Sequence, residues 1–141
     1  MLGRVQALLN DLTTQFEAGN LSGVITHYDF PLHLDLEDRS VLLTGPAEME
    51  ALLQHVMQTY HEKAWTRTVA QITALELPRR GRMRAWVRYH HSDSTGKVMQ
   101  HSDRIFHLRD RGNRFVIDAL EITRLATSEF RIWHPPRRRS A

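Results

Sequence analysis

The chain has 141 residues, of which 41% are apolar and 25% charged, values that indicate one ordinary globular domain with a real core. It contains no cysteine, which excludes a disulfide framework, a thiolate nucleophile and a cysteine metal site. The net charge of +3 comes from the three arginines at 137–139, because without them the 19 basic residues become 16 and equal the 16 acidic ones. That distribution argues against a nucleic-acid-binding face.

The domain limits follow from the composition near the end of the chain. We expect a single domain over residues 1–130 and a basic, disordered tail over 131–141, where Pro135 and Pro136 precede the arginines. No stretch approaches the roughly 18 apolar residues that span a bilayer, and the segment 1–10 lacks the apolar run of a signal peptide. We therefore expect a cytoplasmic protein that binds neither membranes nor nucleic acids.

Apolar residues at helical spacing predict three helices in the first half of the chain. The first ends near a glycine at position 19, and its apolar face consists of Val5, Leu8, Leu9, Leu12 and Phe16. The second is short, runs from about Leu21 to Tyr28 and cannot continue past Pro31. The third opens at Pro46, because proline suits a first helical turn, and extends to Tyr60.

Alternation of apolar and polar residues predicts strands in the rest of the chain. Leu32, Leu34 and Leu36 mark one strand, with a short return strand at 41–43. Three turn sequences, at 78–81, 93–96 and 110–113, then separate four long strands near 65–77, 82–92, 97–109 and 114–125. Consecutive hairpins make an antiparallel meander. The predicted fold class is therefore α+β, with N-terminal helices packed on a curved, mainly antiparallel sheet.

Pairing the residues at each turn assigns the side chains of the meander to its two faces. One face is apolar and should pack on the helices; it includes Ala85, Val87, Phe106, Leu108, Ile117 and Ala119. At one end this face becomes polar, with Tyr89, Ser102, Arg104 and Glu121. No helix remains to cover the opposite face, and we expect a homodimer to bury its apolar residues, Trp86, Ile105, Leu120 and Ile122.

Three motifs resemble those of a known superfamily: Tyr28-Asp29-Phe30-Pro31 before the first strand, Gly45-Pro46 at the long helix, and the segment 112–118 at the last hairpin. With the order of the elements over about 5–125, they resemble the nuclear transport factor 2-like superfamily, which includes SnoaL-like polyketide cyclases, ketosteroid isomerase and scytalone dehydratase. The resemblance implies a cystatin-like cone with an internal pocket, and often a dimer. It implies no single activity, because fold does not determine function.

Two carboxylates are the candidate catalytic residues. The resemblance implies a carboxylate in the cavity of members that do proton chemistry. Asp29 is therefore either that general acid or base, with Tyr28 or Tyr89 donating to an oxyanion, or a turn residue before proline. Glu121 and Arg104 are either a pair that holds a polar ligand or orients a carboxylate base, or a structural ion pair that closes the cone. Ligand contacts are predicted at Tyr28, Tyr89, Ser102 and Arg104.

Histidines are frequent, nine in all, but most of those in the long hairpin are predicted to be surface or interface residues. His90, His101 and His107 point outward in the predicted register, and His91 lies towards the end of its strand. His101 and Asp103 are spaced for chelation on one face, yet outward histidines on strands are rarely metal ligands. We expect neither a metal nor a cofactor.

The function that these observations favour is that of a pocket protein without an assigned reaction, which binds a small, largely apolar molecule in the cone. One alternative is a cofactor-independent isomerase, cyclase or dehydratase that uses a pocket carboxylate as general acid or base. A second alternative is an interaction module whose sheet face binds another protein.

Overall fold

Three helices and six strands make up the part of the chain, residues 1–124, that the computed structural model describes. In chain order they are α1 (Leu2–Glu17), α2 (Leu21–Ile25), β1 (Tyr28–Asp35), β2 (Ser40–Leu43), α3 (Pro46–Glu62), β3 (Arg67–Leu75), β4 (Arg82–Ser92), β5 (Val98–Asp110) and β6 (Phe115–Arg124). The predicted α+β fold is confirmed. The predicted domain end at 130 and the basic tail at 131–141 lie outside the described residues.

Local sequence explains where the helices begin. The side chain of Asn20 caps α2 by accepting a hydrogen bond from the Gly23 amide, at 3.2 Å. Pro46 occupies the first turn of α3, and Glu48 accepts a hydrogen bond from the amide of Thr44, at 2.9 Å. The face of α1 that is buried consists of Val5, Leu8, Leu9 and Leu12. Within the described residues, none of the helices has the length and apolar content that crossing a membrane requires.

The six strands form one sheet in the order β2-β1-β6-β5-β4-β3. All neighbouring strands are antiparallel except β1 and β6, which run parallel. The core between the sheet and the helices includes the buried side chains of Leu9, Leu32, Leu34, Leu43, Phe106, Leu108 and Ile117. Burying each such side chain stabilises the fold by roughly 1.5–3 kcal/mol, so this core holds the helices on one face of the sheet, here called the inner face.

The pairing of β3, β4 and β5 agrees with the predicted faces except at the end of β3, where Thr73 is an extra residue and reverses the faces of Ala74 and Leu75, which lie opposite Trp86 and Ala85. Ile72 lies opposite Val87, as the first long hairpin predicts. Between β4 and β5 the pairing is displaced by two residues, since Tyr89 lies opposite Ser102 rather than Gln100. Because side chains alternate with a period of two, a displacement of two keeps every residue on its predicted face.

A bulge in β6 inverts the predicted faces of the second half of that strand. Leu108 lies opposite Ile117, but the preceding residue of β5, His107, lies opposite Ala119. Asp118 is therefore an extra residue in β6. One extra residue reverses the alternation of all side chains that follow it.

Four predicted placements are corrected by this bulge, and the first is that of Ala119, which was predicted on the inner face and lies opposite His107 on the outer face. Glu121 lies opposite Ile105 on the outer face of the sheet, so the prediction that it points into the cone is wrong. Leu120 and Ile122 are only 6% and 3% exposed and lie on the inner face, so their predicted place on the outer face is wrong as well. The predicted pair of Arg104 and Glu121 does not form, because the two side chains leave the sheet on opposite faces.

The outer face of the sheet is more polar than the sequence predicts. Trp86 and Ile105 lie opposite each other there, and the Arg84 guanidinium lies over the Trp86 ring, 4.9 Å from its centre. Two ion pairs, Arg84–Glu76 and Arg88–Asp103, and a close contact between His107 and Glu121 cover much of the same face. Dimerisation through this face stays a prediction, which now rests on Trp86 and Ile105.

Replacing Trp86 with glutamate tests that prediction. We expect Trp86→Glu to be monomeric, because an interface that buries a charge without a partner is strongly disfavoured. Light scattering at micromolar concentration measures the mass. Leu77→Glu changes a residue that is 89% exposed and should keep the wild-type mass. A monomeric wild type would contradict the prediction.

Candidate ligand-binding cavity

A cavity lies between the inner face of the sheet and the three helices. It offers about 80 Å³ to the centres of water molecules, several times the space of about 10–15 Å³ that one water needs. Its apolar walls are formed by Leu12, Phe16, Val24, Leu34, Met49, Leu52, Leu53, Val56 and Leu120. Its polar atoms come from Thr13, Tyr28, Tyr60, Thr68, Tyr89 and Arg104. An apolar pocket with a few polar groups is typical of small-molecule sites.

Arg104 is the charged residue of the cavity wall. Its Cζ lies 4.1 Å from the centre of the Tyr89 ring, and its Nη2 donates a hydrogen bond to Ser102 Oγ at 3.2 Å. Its Nε is buried and has no hydrogen-bond partner. Within residues 1–124, no carboxylate forms an ion pair with this guanidinium. The positive charge is therefore held by a ring face and a hydroxyl rather than by an acid.

Two tyrosines of the cavity wall carry free hydroxyl groups. Burial raises the pKa of Tyr28 well above its usual range, Tyr89 adds to the effect, and the charge of Arg104 opposes it. Burial also raises the pKa of Tyr89, again against the effect of Arg104. Both phenols are therefore protonated at physiological pH. Neither hydroxyl forms a hydrogen bond with any described residue, so both are available to a ligand or to water.

His91 lies behind this wall and connects three strands. Its Nδ1 is 3.0 Å from Thr68 Oγ1, and its Nε2 is 2.9 Å from Ser102 Oγ. The side chain is fully buried. Burial, followed by the charge of Arg104, lowers the pKa of His91 to about 3. The imidazole is therefore neutral at physiological pH, and its two hydrogen bonds fix the hydroxyl that accepts from Arg104.

A series of aromatic rings begins at the cavity wall, which Phe16 and Tyr60 line. The rings of Phe16 and Tyr60 meet edge to face with centres 5.0 Å apart, and Tyr60 meets Trp65 in the same way at 5.2 Å. Trp65 in turn stacks on His91 at 4.5 Å. This ring series joins α1, α3 and β4.

The structure separates the predicted site residues into two groups. Tyr28, Tyr89 and Arg104 line the cavity, and Ser102 lies directly behind Arg104, 1% exposed. The two candidate catalytic carboxylates lie elsewhere. Asp29 forms an ion pair with the guanidinium of Arg111 and is not part of the cavity wall. Glu121 lies on the outer face, where its carboxylate is 2.6 Å from Nε2 of His107.

Four polar residues at the cavity were not predicted, namely Thr13, Tyr60, Thr68 and His91, and strand alternation carries a signal for the last two. His91 follows Tyr89 by two positions in β4, so strand alternation places both side chains on the inner face. Thr68 likewise precedes Ala70 by two positions in β3, and Ala70 is on the predicted inner face. The alternation thus contains the signal for both residues. Within residues 1–124, no three histidine, aspartate or glutamate side chains are placed to hold a metal ion together.

A six-stranded, mostly antiparallel sheet with helices on one face and a cavity between the two layers defines a cone-shaped α+β pocket domain. The chain belongs to the NTF2-like proteins, since residues 4–124 match the family described as NTF2-like protein (DUF6841). The predicted superfamily is thereby confirmed. No curated protein matches the sequence.

Solved structures with this fold have little sequence in common with the chain. An NTF-2 like protein of unknown function from Shewanella oneidensis MR-1 is 14% identical, with a TM-score of 0.64 over 85% of this chain and 96% of that one. A cystatin-like domain of unknown function from Nostoc punctiforme is 13% identical, with a TM-score of 0.66 over 90% and 78%. A protein of unknown function from Mycobacterium tuberculosis is 12% identical, with a TM-score of 0.62 over 88% and 71%. These likenesses establish the fold alone.

Proposed function

We propose that this protein binds a small, largely apolar molecule in the cavity of its cone. The observation that supports the proposal is the composition of the cavity wall, where apolar side chains from all three helices surround the space. The polar groups of Tyr28, Tyr89 and Arg104 interact with one another at one part of that wall. A ligand would bury its apolar body, gaining roughly 25 cal/mol for each Å² removed from water, and would be oriented by the polar groups.

A cavity-filling variant tests this proposal. Val56 is half-buried on α3 and lines the cavity, so Val56→Phe would place a ring in the space that a ligand needs. We expect hexanamide and benzamide to cause saturable NMR shifts of the cavity residues in the wild type. The affinity should fall by about tenfold or more in Val56→Phe, a loss that corresponds to about 1.4 kcal/mol.

The control for this experiment is Val69→Phe. Val69 is 46% exposed on β3 and does not line the cavity, so the same chemical change there should leave both affinities as in the wild type. If neither the amides nor the corresponding carboxylates, hexanoate and benzoate, cause saturable shifts in the wild type at millimolar concentration, the proposal is wrong.

The enzymatic alternative receives less support from the site. A general base of the predicted kind would be a carboxylate at the cavity, and among residues 1–124 no aspartate or glutamate lines it. The phenols of Tyr28 and Tyr89 are poor bases, because burial disfavours their charged forms. We therefore propose binding without a reaction. The cytoplasmic location and the lack of a cofactor remain predictions from the sequence.

A further inference from the structure

We infer that the ligand of this cavity is an organic monoanion, a small aliphatic or aromatic carboxylate, whose charged group binds Arg104. The inference rests on the proposed function, because it names the class of molecule that the same cavity holds. Its basis is the Arg104 guanidinium on a cavity wall that is mainly apolar and has no acidic group among the described residues to pair with it.

Strand alternation keeps the neighbouring carboxylates away from Arg104. Asp103, the preceding residue of β5, faces outward and binds Arg88, with Nε 2.8 Å from Oδ1. Glu121 of β6 also faces outward, where it binds His107. Arg104 is half-buried, with its Nε fully buried, and a charge that is partly removed from water without a partner is costly. The cavity therefore contains one positive charge and no negative charge from the described residues to balance it.

The polar atoms around this charge are mainly hydrogen-bond donors. The protonated hydroxyls of Tyr28 and Tyr89 have no partner among the described residues, and only Nη2 of Arg104 is used by Ser102. A carboxylate has two oxygens and accepts several hydrogen bonds at once, including paired ones from a guanidinium. A cationic ligand would be repelled, and a neutral one would leave the charge unbalanced. The donor set thus favours a monoanion.

Three protein side chains help to hold the guanidinium in position. The Tyr89 ring lies against one of its faces, Ser102 accepts its hydrogen bond, and His91 fixes Ser102 from the other side. His91 is neutral and so does not offset the charge of Arg104, which stays available to a ligand. A donor that is already ordered loses little conformational entropy on binding. Arg104 is thus a ligand contact, whereas Ser102 and His91 are positioning residues.

Two matched pairs of probes test the inference, hexanoate against hexanamide and benzoate against benzamide. The members of each pair share an apolar body and differ in charge, and NMR titration measures the Kd of each. We expect the wild type to bind each carboxylate about 10- to 100-fold more tightly than its amide, the range that hydrogen bonds to a charged group produce. In Arg104→Gln, the affinity for the carboxylate should fall to about that for the amide. Arg88→Gln removes an arginine from the outer face and should keep the preference.

The possible outcomes separate the inference from the proposed function. Amides that bind the wild type as tightly as the carboxylates would overturn the inference and leave the proposed function intact. Failure of all four probes to bind would overturn both. A carboxylate preference that persists in Arg104→Gln would overturn the role of Arg104. If Arg104→Gln does not fold, Tyr89→Phe replaces it, and it should weaken binding of the carboxylates more than binding of the amides.

Discussion

Leu120→Asn is expected to lower the free energy of unfolding by about 3–5 kcal/mol, whereas Ala119→Asn is expected to lower it by less than about 1 kcal/mol. Leu120 is 6% exposed and lines the cavity, so its replacement removes buried apolar contacts and leaves an amide without partners. Ala119 is half-buried and lies opposite His107 on the outer face of the sheet, where a new polar side chain does not enter the core.

Urea denaturation of the two variants measures both changes against the wild type. The pair decides whether the bulge in β6 exists, because the two residues exchange faces if Asp118 is not an extra residue. Without the bulge, Ala119 would face the core and Leu120 the solvent, and the order of the two effects would be reversed. A larger loss for Ala119→Asn would therefore contradict the observed register.

The free energy of unfolding is also expected to fall by about 2 kcal/mol between about pH 6.5 and about pH 4.5 because of His91 alone. Burial, followed by the charges of Arg104, His101 and His90, lowers its pKa to about 3 in the folded protein. An unfolded chain has a histidine pKa of about 6.5. In this range the unfolded state binds a proton that the folded state excludes. The stabilisation is therefore complete above about pH 6.5 and is lost as the pH falls towards about 3.

Urea denaturation at several pH values measures this slope. His91→Gln has no titrating group at this position, so we expect it to be less stable than the wild type at neutral pH and to lose about 2 kcal/mol less on acidification. His33→Gln serves as control, because His33 is exposed, and its profile should be parallel to that of the wild type. A parallel profile for His91→Gln would show that His91 is not buried in the neutral form.

The faces of β4 and β5 could be predicted from the sequence, and the reason lies in their hairpin. The turn sequence limits the possible pairings, and the error of two residues that remained does not change which side chains point inward. Tyr89 and Arg104 were therefore placed on the inner face, where the structure has them. The parallel pairing of β1 with β6 joins segments that are distant in sequence, and no local pattern indicates it.

The candidate site could be predicted only where alternation is unbroken. Glu121 was misplaced because the bulge at Asp118 has no turn residue to mark it, and a single extra residue reverses every later side chain. The resemblance was the reason to expect Asp29 in the pocket. Its carboxylate instead pairs with Arg111, and no local pattern predicts a contact between positions 82 residues apart. For His91, alternation indicates the inner face but not the hydrogen bonds. Its partners come from other strands, 23 and 11 residues away in the chain.

The aromatic ring series from Phe16 to His91 links α1 and α3 to β4 beside the cavity. Its contacts, at 5.0, 5.2 and 4.5 Å between ring centres, depend on specific edge-to-face and stacked arrangements. Neither α1 nor α3 can slide or lift away from β4 here without losing them. We therefore expect the part of the cavity wall that Phe16 and Tyr60 form to resist displacement by a ligand. In a homologous series of ligands, we expect the affinity to fall sharply beyond one chain length. A cone that widened to fit longer ligands would instead give a gradual change in affinity.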